Sequence, residues 1–132
     1  MANAIYPIWK AALLQASSNS ALTGTVKVTL VDAADYTYSA AHDFIDDVAS
    51  GARVATATLS NKTYTSGQFD ADDITFTSVT GDQSEALVVW IDTGVESTSR
   101  LVAYIDTGVT GLPVTPSGGN ITVTWGSYIF AL

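Results

Sequence analysis

The chain has 132 residues, of which 47% are hydrophobic and 14% are charged, and 13 acidic against five basic side chains give a net charge of −8. This composition is typical of one folded domain rather than a disordered chain, and the scarcity of Lys and Arg argues against nucleic-acid binding. The lack of cysteine excludes disulfides and thiolate sites, and the single histidine, His42, excludes sites that need two. No apolar stretch approaches the length of a membrane span, so we expect no membrane partner.

The N-terminal segment predicts a helix over residues 5–16, with Pro7 in the first turn, where its missing N–H is not needed. Five apolar residues fall on one face at helical spacing: Ile5, Trp9, Ala12, Leu13 and Ala16. Lys10 is the single charge of this segment. Because the opposite face is more apolar than that of most surface helices, we expect it to contact a neighbouring chain. The alternative is that the segment only closes one end of the fold.

From Thr25 onward the apolar residues alternate with a period of two, which is typical of β-strands. The runs 86–91 and 101–105 are the most apolar and are expected at the centre of the sheet. The small residues of the run 53–60 indicate that another layer packs close to that strand. Together these patterns predict a mainly β single domain over residues 1–132, an antiparallel β-sandwich or flattened barrel with an N-terminal helix and a short helical insertion.

The short helical insertion is predicted over residues 40–48, where Ser39 could act as the N-cap and the apolar residues recur at helical spacing. His42 lies in this segment beside Asp43. With no second histidine and no cysteine, it cannot complete a transition-metal site, and we interpret it as a surface or capping residue.

A short repeat is the main candidate for catalysis. The segment Val89 to Val95 recurs in the next predicted strand as Ala103 to Val109, and both copies contain Asp-Thr-Gly after apolar residues. Asp-Thr-Gly is the active-site signature of aspartic proteases, in which two aspartates share one proton. Here the copies lie in consecutive strands, too close for the two halves of such an enzyme. We therefore interpret Asp92 and Asp106 as strand-end turn residues and predict no catalytic residue and no enzyme activity.

The run Asp70 to Asp73 resembles part of a calcium-binding loop, but the glycine and the bidentate glutamate of that loop are missing. We expect a turn there, and we predict no metal site and no cofactor.

The predicted contact surface combines the second face of the N-terminal segment with tyrosines that we expect to be exposed, since exposed tyrosines serve both protein interfaces and sugar-binding platforms. Its six residues are Ile5, Tyr6, Ile8, Leu14, Tyr36 and Tyr38.

Three stretches of the sequence carry a resemblance when they are taken together: the opening residues Met1 to Lys10, the strand Thr25 to Asp32, and Leu101 to Trp125. They resemble small structural proteins from the morphogenesis regions of tailed bacteriophages, and the resemblance covers most of the chain. It implies a virion component, assembled in the host cytoplasm, that binds other virion proteins and catalyses nothing. It supplies no motif from which functional residues could be carried over.

The expected function is therefore that of a non-catalytic capsid decoration (cement or minor capsid) protein that binds the major capsid protein lattice as a homo-oligomer. A trimer suits three-fold positions of such a lattice. A tail, baseplate or fibre component is an alternative from the same source, and a carbohydrate-binding β module is an alternative of a different class.

Overall fold

The computed structural model describes residues 2–14 and 24–132, except for the side chains of Ala12 and Leu14. The described part contains nine strands, one α-helix and four short 3-10 turns. The strands are β1 (Ala4–Ile5), β2 (Thr25–Val31), β3 (Arg53–Thr58), β4 (Gln68–Phe69), β5 (Ile74–Phe76), β6 (Ala86–Asp92), β7 (Leu101–Ile105), β8 (Ile121–Val123) and β9 (Phe130–Ala131). The helix α1 spans Pro7–Leu14, and the 3-10 turns are Ile45–Asp47, Ser50–Ala52, Thr65–Gly67 and Glu96–Thr98.

The main sheet has five antiparallel strands in the order β1-β7-β6-β2-β3. Strand β6 lies at its centre, and six of its seven residues are buried. All five residues of β7 are buried as well. Burial on both faces requires a continuous apolar run rather than alternation, which is why these two strands stand out in the sequence.

Two further antiparallel pairs, β4 with β9 and β5 with β8, complete the fold. Strand β5 lies against β3, as the small side chains of β3 predict. The rings of Phe69 and Phe130 stack with their centroids 5.0 Å apart, and Trp9 of α1 meets Phe130 edge-on at 5.6 Å. One hydrophobic core joins the strands and the helix. The expected mainly β, antiparallel fold is confirmed.

The N-terminal helix begins two residues later than predicted. It begins at Pro7, because Ile5 pairs with Ala103 of β7 and the backbone N–H of Tyr6 donates to the carbonyl of Val102 at 3.0 Å. Residues 15 and 16 of the predicted helix lie outside the described residues. Within the described residues no helix is long and apolar enough to cross a membrane.

The predicted helix over residues 40–48 is wrong. In this segment only the three residues Ile45–Asp47 form a turn of 3-10 helix. The N–H of the first residue of that turn donates to the carbonyl of Ser99 at 2.9 Å, and the carbonyl of Asp43 accepts from the N–H of Leu101 at 2.9 Å. These bonds to the start of β7 use backbone groups that a helix would pair internally, so tertiary contacts override the local helical pattern.

Candidate functional site

The candidate site is a groove of about 290 Å³ at one end of the main sheet. It lies where the N-terminal segment, the turn after β7 and the segment before β9 meet. No charged side chain of the described residues lines it, although the chain as a whole is strongly acidic. Its lining residues are Asn3, Ile105, Thr107, Gly108, Val109, Gly126, Ser127, Tyr128 and Ile129.

Asn3 fixes one wall of the groove. Its side-chain Oδ1 accepts from the backbone N–H of Asp106 at 2.8 Å and from that of Thr107 at 3.0 Å. Its Nδ2 donates to the carbonyl of Thr107 at 3.0 Å. One amide side chain thus satisfies three backbone groups of the turn that follows β7. The N-terminal segment therefore holds in place a turn from the far end of the sequence.

Glycines allow the two turns of the groove to approach each other. Gly108 has φ +77°, in the left-handed region that favours glycine. A Cβ atom on Gly126 would lie 3.1 Å from the carbonyl oxygen of Gly108. A side chain at either position would therefore strain or separate the turns.

Tyr128 is the aromatic residue that the groove presents to solvent, and it is 41% exposed. Its neighbour Ile129 is 7% exposed and belongs to the core. Burial of Ile129 therefore holds this segment in place, while the ring of Tyr128 stays accessible to solvent. An exposed aromatic ring beside hydroxyl groups and uncharged walls can contact an apolar side chain of a protein or the face of a sugar.

The predicted contact tyrosines form a cluster inside the fold. The hydroxyl groups of Tyr6 and Tyr36 are 2.8 Å apart, and the Tyr36 hydroxyl lies 2.9 Å from Nδ1 of His42. The rings of Tyr38 and Tyr104 pack beside them, with 5.9 Å between their centroids. This tyrosine cluster lies on the face of the sheet that carries Tyr104.

The expected exposure of Tyr6 and Tyr36 is wrong, since the two side chains are 0% and 4% exposed. The short β1 pairs with β7 and brings Tyr6 inward, where its hydroxyl shares one hydrogen bond with that of Tyr36. Burial raises the pKa of Tyr36 to about 12. Burial and then the hydrogen bond to Tyr36 raise the pKa of Tyr6 further still. Both phenols therefore stay protonated near neutral pH and act as internal hydrogen-bonding groups.

Three of the other predicted contact residues, Ile5, Ile8 and Tyr38, are half-buried. The side chain of Leu14 lies outside the described residues. Within residues 2–11 the surface of the N-terminal segment that is open to a partner is therefore smaller than the sequence predicts.

The two Asp-Thr-Gly turns lie at opposite ends of the sheet. Strands β6 and β7 are antiparallel, and Ile105 pairs with Leu87, five residues before Asp92. Asp106 lies one residue further on, level with residue 86, so at about 3.4 Å per residue Asp92 and Asp106 are roughly 20 Å apart along the sheet. Two carboxyl groups at that distance cannot share a proton, so the aspartic-protease arrangement does not exist within one chain.

Asp92 is a turn residue, as predicted. Its Oδ1 accepts from the N–H of Gly94 at 2.8 Å, and its Oδ2 forms an ion pair with Lys27 at 2.8 Å. The Lys27 ammonium and then the Gly94 N–H hold the pKa of the Asp92 carboxyl below its usual value.

The acidic run around Asp72 is also structural. Asp73 Oδ1 accepts from the backbone N–H of Trp125 at 3.0 Å, and the indole N–H of Trp125 donates to the carbonyl of Asp72 at 3.0 Å. The Asp72 carboxylate accepts from the amide of Asn61. The two bonds to Trp125 join the turn before β5 to the segment that follows β8, and the bond to Asn61 joins it to the segment that follows β3.

One group of three carboxylates among the described residues lies close enough to hold a cation. Oxygen atoms of Asp32, Asp35 and Asp82 lie within 4.8 Å of one another. Asp32 Oδ1 also accepts from the N–H of Ala34 at 2.8 Å, which is the bond of a local turn. Sequence patterns do not reveal this group, because Asp82 lies far along the chain from the other two members.

The groove was also missed by sequence reasoning, although its parts were visible as the second Asp-Thr-Gly copy and the N-terminal segment. Their meeting depends on Asn3, which carries no recognisable motif. Comparison with known proteins adds no assignment, since no family model and no curated protein match the chain.

Proposed function

We propose that the chain is a non-catalytic structural protein of a tailed-bacteriophage virion, a decoration protein that binds the major capsid protein lattice. The resemblance of the opening residues, of the β2 region and of the stretch 101–125 supports this proposal. The candidate residues for catalysis have structural roles that agree with it: Asp92 makes a turn, and His42 belongs to the tyrosine cluster.

The groove is the observation that carries the proposal. Asn3 comes from the first of the three stretches that carry the resemblance, and the wall formed by residues 105–109 comes from the third. These stretches, which are far apart in the sequence, build one surface with the exposed ring of Tyr128. Interfaces are enriched in tyrosine and depleted of charge at their core, and this groove has both properties.

The partners in this proposal are the major capsid protein and further copies of the chain. A trimer fits a three-fold lattice position. The surface charge of −8 keeps the unassembled chain soluble and directs the binding of the groove toward uncharged or basic partner surfaces.

Cryo-electron microscopy of virions assembled with this chain tests the proposal. The expected result is density for the domain at regular positions on the head, with the groove facing the capsid protein. A Tyr128→Ala variant should lower the occupancy of these positions, whereas Val95→Ala, which removes an exposed side chain at the opposite end of β6, should leave it unchanged. Density on the tail or baseplate would instead support the alternative location. Virions that assemble in the presence of this chain but show no density for it on the head or the tail would overturn the proposal.

A carbohydrate-binding module is the second candidate, and the uncharged lining of the groove is the observation that favours it. Neutral sugars stack on exposed aromatic rings and bond to hydroxyl groups, and Tyr128, Thr107 and Ser127 offer both. A glycan array is the direct test. Binding by the wild-type chain that is lost in Tyr128→Ala and retained in Val95→Ala would support this candidate, and an array without any bound glycan would reject it.

A further inference from the structure

The two Asp-Thr-Gly turns differ in how far their own backbone groups are hydrogen-bonded. In the first copy, Asp92 Oδ1 accepts from the N–H of Gly94 at 2.8 Å, and Thr93 Oγ1 accepts from the N–H of Val95 at 3.4 Å. The carbonyl of Val95 accepts from the N–H of Thr98 at 3.1 Å. The first turn therefore finds partners for these groups among its own neighbours in the sequence.

The equivalent groups of the second copy are unpaired. Within the described part of the chain, neither the N–H nor the C=O of Gly108 and Val109 takes part in a hydrogen bond, since Asn3 bonds the backbone of the two preceding residues only. Gly108 is exposed and Val109 is half-buried, so a ligand can reach their backbone. The same short sequence is thus internally bonded in one copy and unpaired in the copy that lines the groove.

The opposite wall of the groove is unpaired in the same way. The backbone of residues 126–128 forms no hydrogen bond with any described residue, and pairing resumes at Ile129, whose N–H donates to the carbonyl of Phe69 at 2.8 Å. Residues 126–128 are exposed. The two walls are close to each other, because a Cβ atom on Gly126 would lie 3.1 Å from the carbonyl oxygen of Gly108. A ligand in the groove can therefore reach free N–H and C=O groups on both sides.

The surroundings of the groove favour an uncharged ligand. Every charged side chain of the sequence lies before Thr107, so residues 107–132 carry none. A charged group of a ligand would lose its hydration here without gaining an opposite charge. The volume of about 290 Å³ corresponds to about ten water molecules at ~30 Å³ each, which is enough for a short stretch of chain.

We propose that the groove binds an extended, uncharged peptide segment of a protein partner, whose backbone bonds to Gly108 and Val109 on one wall and to residues 126–128 on the other. Each peptide unit offers one donor and one acceptor, which the free groups of the walls require. Main-chain bonds of this kind give affinity, and alternate side chains of the segment contact the site. One apolar side chain rests against the ring of Tyr128. This inference rests on the proposed function, in which the segment belongs to the capsid protein.

An array of nonapeptides of varied sequence, acetylated and amidated at their ends, tests the inference with the purified full chain. The chain should bind uncharged peptides, and one Glu or Lys inside the bound segment should weaken binding by about tenfold or more. N-methylation of a bonded amide removes the donor and keeps the side chain. It should weaken binding by about three- to tenfold, measured by fluorescence polarisation of the best peptide.

Two measurements on the protein locate the contact. Tyr128→Ala should raise the dissociation constant of the best peptide by about tenfold, whereas Val95→Ala, an exposed site in the first turn, should change it by less than about twofold. Thermal melting confirms that both variants fold. Bound peptide should slow amide hydrogen exchange at Gly108 and Ser127 and leave Gly94, whose N–H is already bonded, unchanged.

Three results would overturn the inference: an array on which no peptide binds, binding that prefers Lys-containing peptides, and binding that N-methylation does not weaken. Binding of neutral glycans alone would overturn it too and would assign the groove to sugars. The proposed function fails separately. Virions may show the groove on the capsid protein while no peptide binds, which rejects only the inference. A chain that binds peptides as expected but has no density in virions rejects only the proposed function.

Discussion

Replacing Tyr36 with phenylalanine removes the hydroxyl group that joins Tyr6 to His42, which makes it a sensitive test of the tyrosine cluster. The Tyr36 hydroxyl lies 2.8 Å from that of Tyr6 and 2.9 Å from Nδ1 of His42. Since Tyr6 is fully buried, water cannot replace the lost partner. Leaving a buried hydroxyl without its hydrogen bond costs about 1–3 kcal/mol, so we expect Tyr36→Phe to lower the free energy of unfolding by about 2 kcal/mol.

A double-mutant cycle separates this bond from general packing. Tyr6→Phe alone should cost about 1 kcal/mol, because Tyr36 keeps His42 as a partner. The double variant should cost about 1 kcal/mol less than the sum of the single variants, since removing both hydroxyls leaves none unsatisfied. Urea unfolding followed by tryptophan fluorescence measures these values. Tyr128→Phe, which removes an exposed hydroxyl, is the control and should change stability by less than about 0.5 kcal/mol. Additive single effects would refute the proposed coupling.

The same cluster predicts a loss of stability at high pH. Burial raises the pKa of Tyr36 from 10.0 to about 12 in the fold and shifts that of Tyr6 in the same direction. Above pH 10 the unfolded chain therefore releases protons that the folded chain retains, and stability falls as pH rises. The Tyr6→Phe/Tyr36→Phe variant should show a shallower fall between pH 10 and 12 in urea titrations. An equal slope in both proteins would contradict the burial of these phenols.

A loop glycine, the turn aspartates and the N-terminal segment each provide a further test. Gly111→Ala should lower the free energy of unfolding by about 2 kcal/mol or more, because φ is +116° and the added Cβ would lie 2.7 Å from the carbonyl oxygen of Thr122 in β8. Gly119→Ala is the control, since its Cβ would meet nothing within 4 Å, and it should be nearly neutral in urea unfolding. Replacing Asp92 and Asp106 with Asn should preserve the fold and assembly, since Asn can accept the same turn bonds. Because the Lys27 ammonium and then the Gly94 N–H lower the pKa of Asp92 in the fold, the wild type should lose stability as the pH falls and this carboxyl is protonated, and acid titration of the variant should lack this loss. Deleting residues 1–8 removes a fully buried tyrosine and should cost about 3–5 kcal/mol, so a near-wild-type melting temperature would show that this segment is not part of the core.

The central strands could be predicted from the sequence because their burial on both faces requires a particular pattern. Strands β6 and β7 are apolar almost without interruption, and β2 alternates around Val26, Val28 and Leu30. In these segments the hydrophobic period and the tertiary structure favour the same conformation, so local evidence is sufficient.

The 40–48 segment shows where local evidence fails. Ser39 is not a helix N-cap, and its hydroxyl accepts from the N–H of Ala41 at 3.2 Å only within a local turn. The predicted helix does not form, because backbone groups of this segment bond to the start of β7. A capping residue and a helical period identify a possible helix, but neither reveals a competing partner that lies in a distant part of the sequence.

The predicted exposure of Tyr6 and Tyr36 is wrong for the same reason, although here the distant partners are side chains and not backbone groups. Tyr36 and Tyr38 alternate around Thr37, and this spacing does not indicate which face is buried. Their burial depends on Tyr6, near the start of the chain, and on Tyr104, which belongs to the distant strand β7. Such aromatic side chains cannot be assigned to the core or to the surface until the strands that carry their partners are placed.

The two Asp-Thr-Gly copies show how identical local sequences acquire different roles. The first copy is completed by its own residues, by Lys27 of β2 and by Ser99, whose hydroxyl accepts from the N–H of Thr93. The second depends on Asn3, whose side chain satisfies backbone groups of Asp106 and Thr107. Only the second turn is therefore coupled to the N-terminal segment, and only the second lines the groove. Both copies of the repeat form a turn at the end of a strand. Only the second copy is bonded to Asn3, and this contact builds the groove on which the proposed function rests.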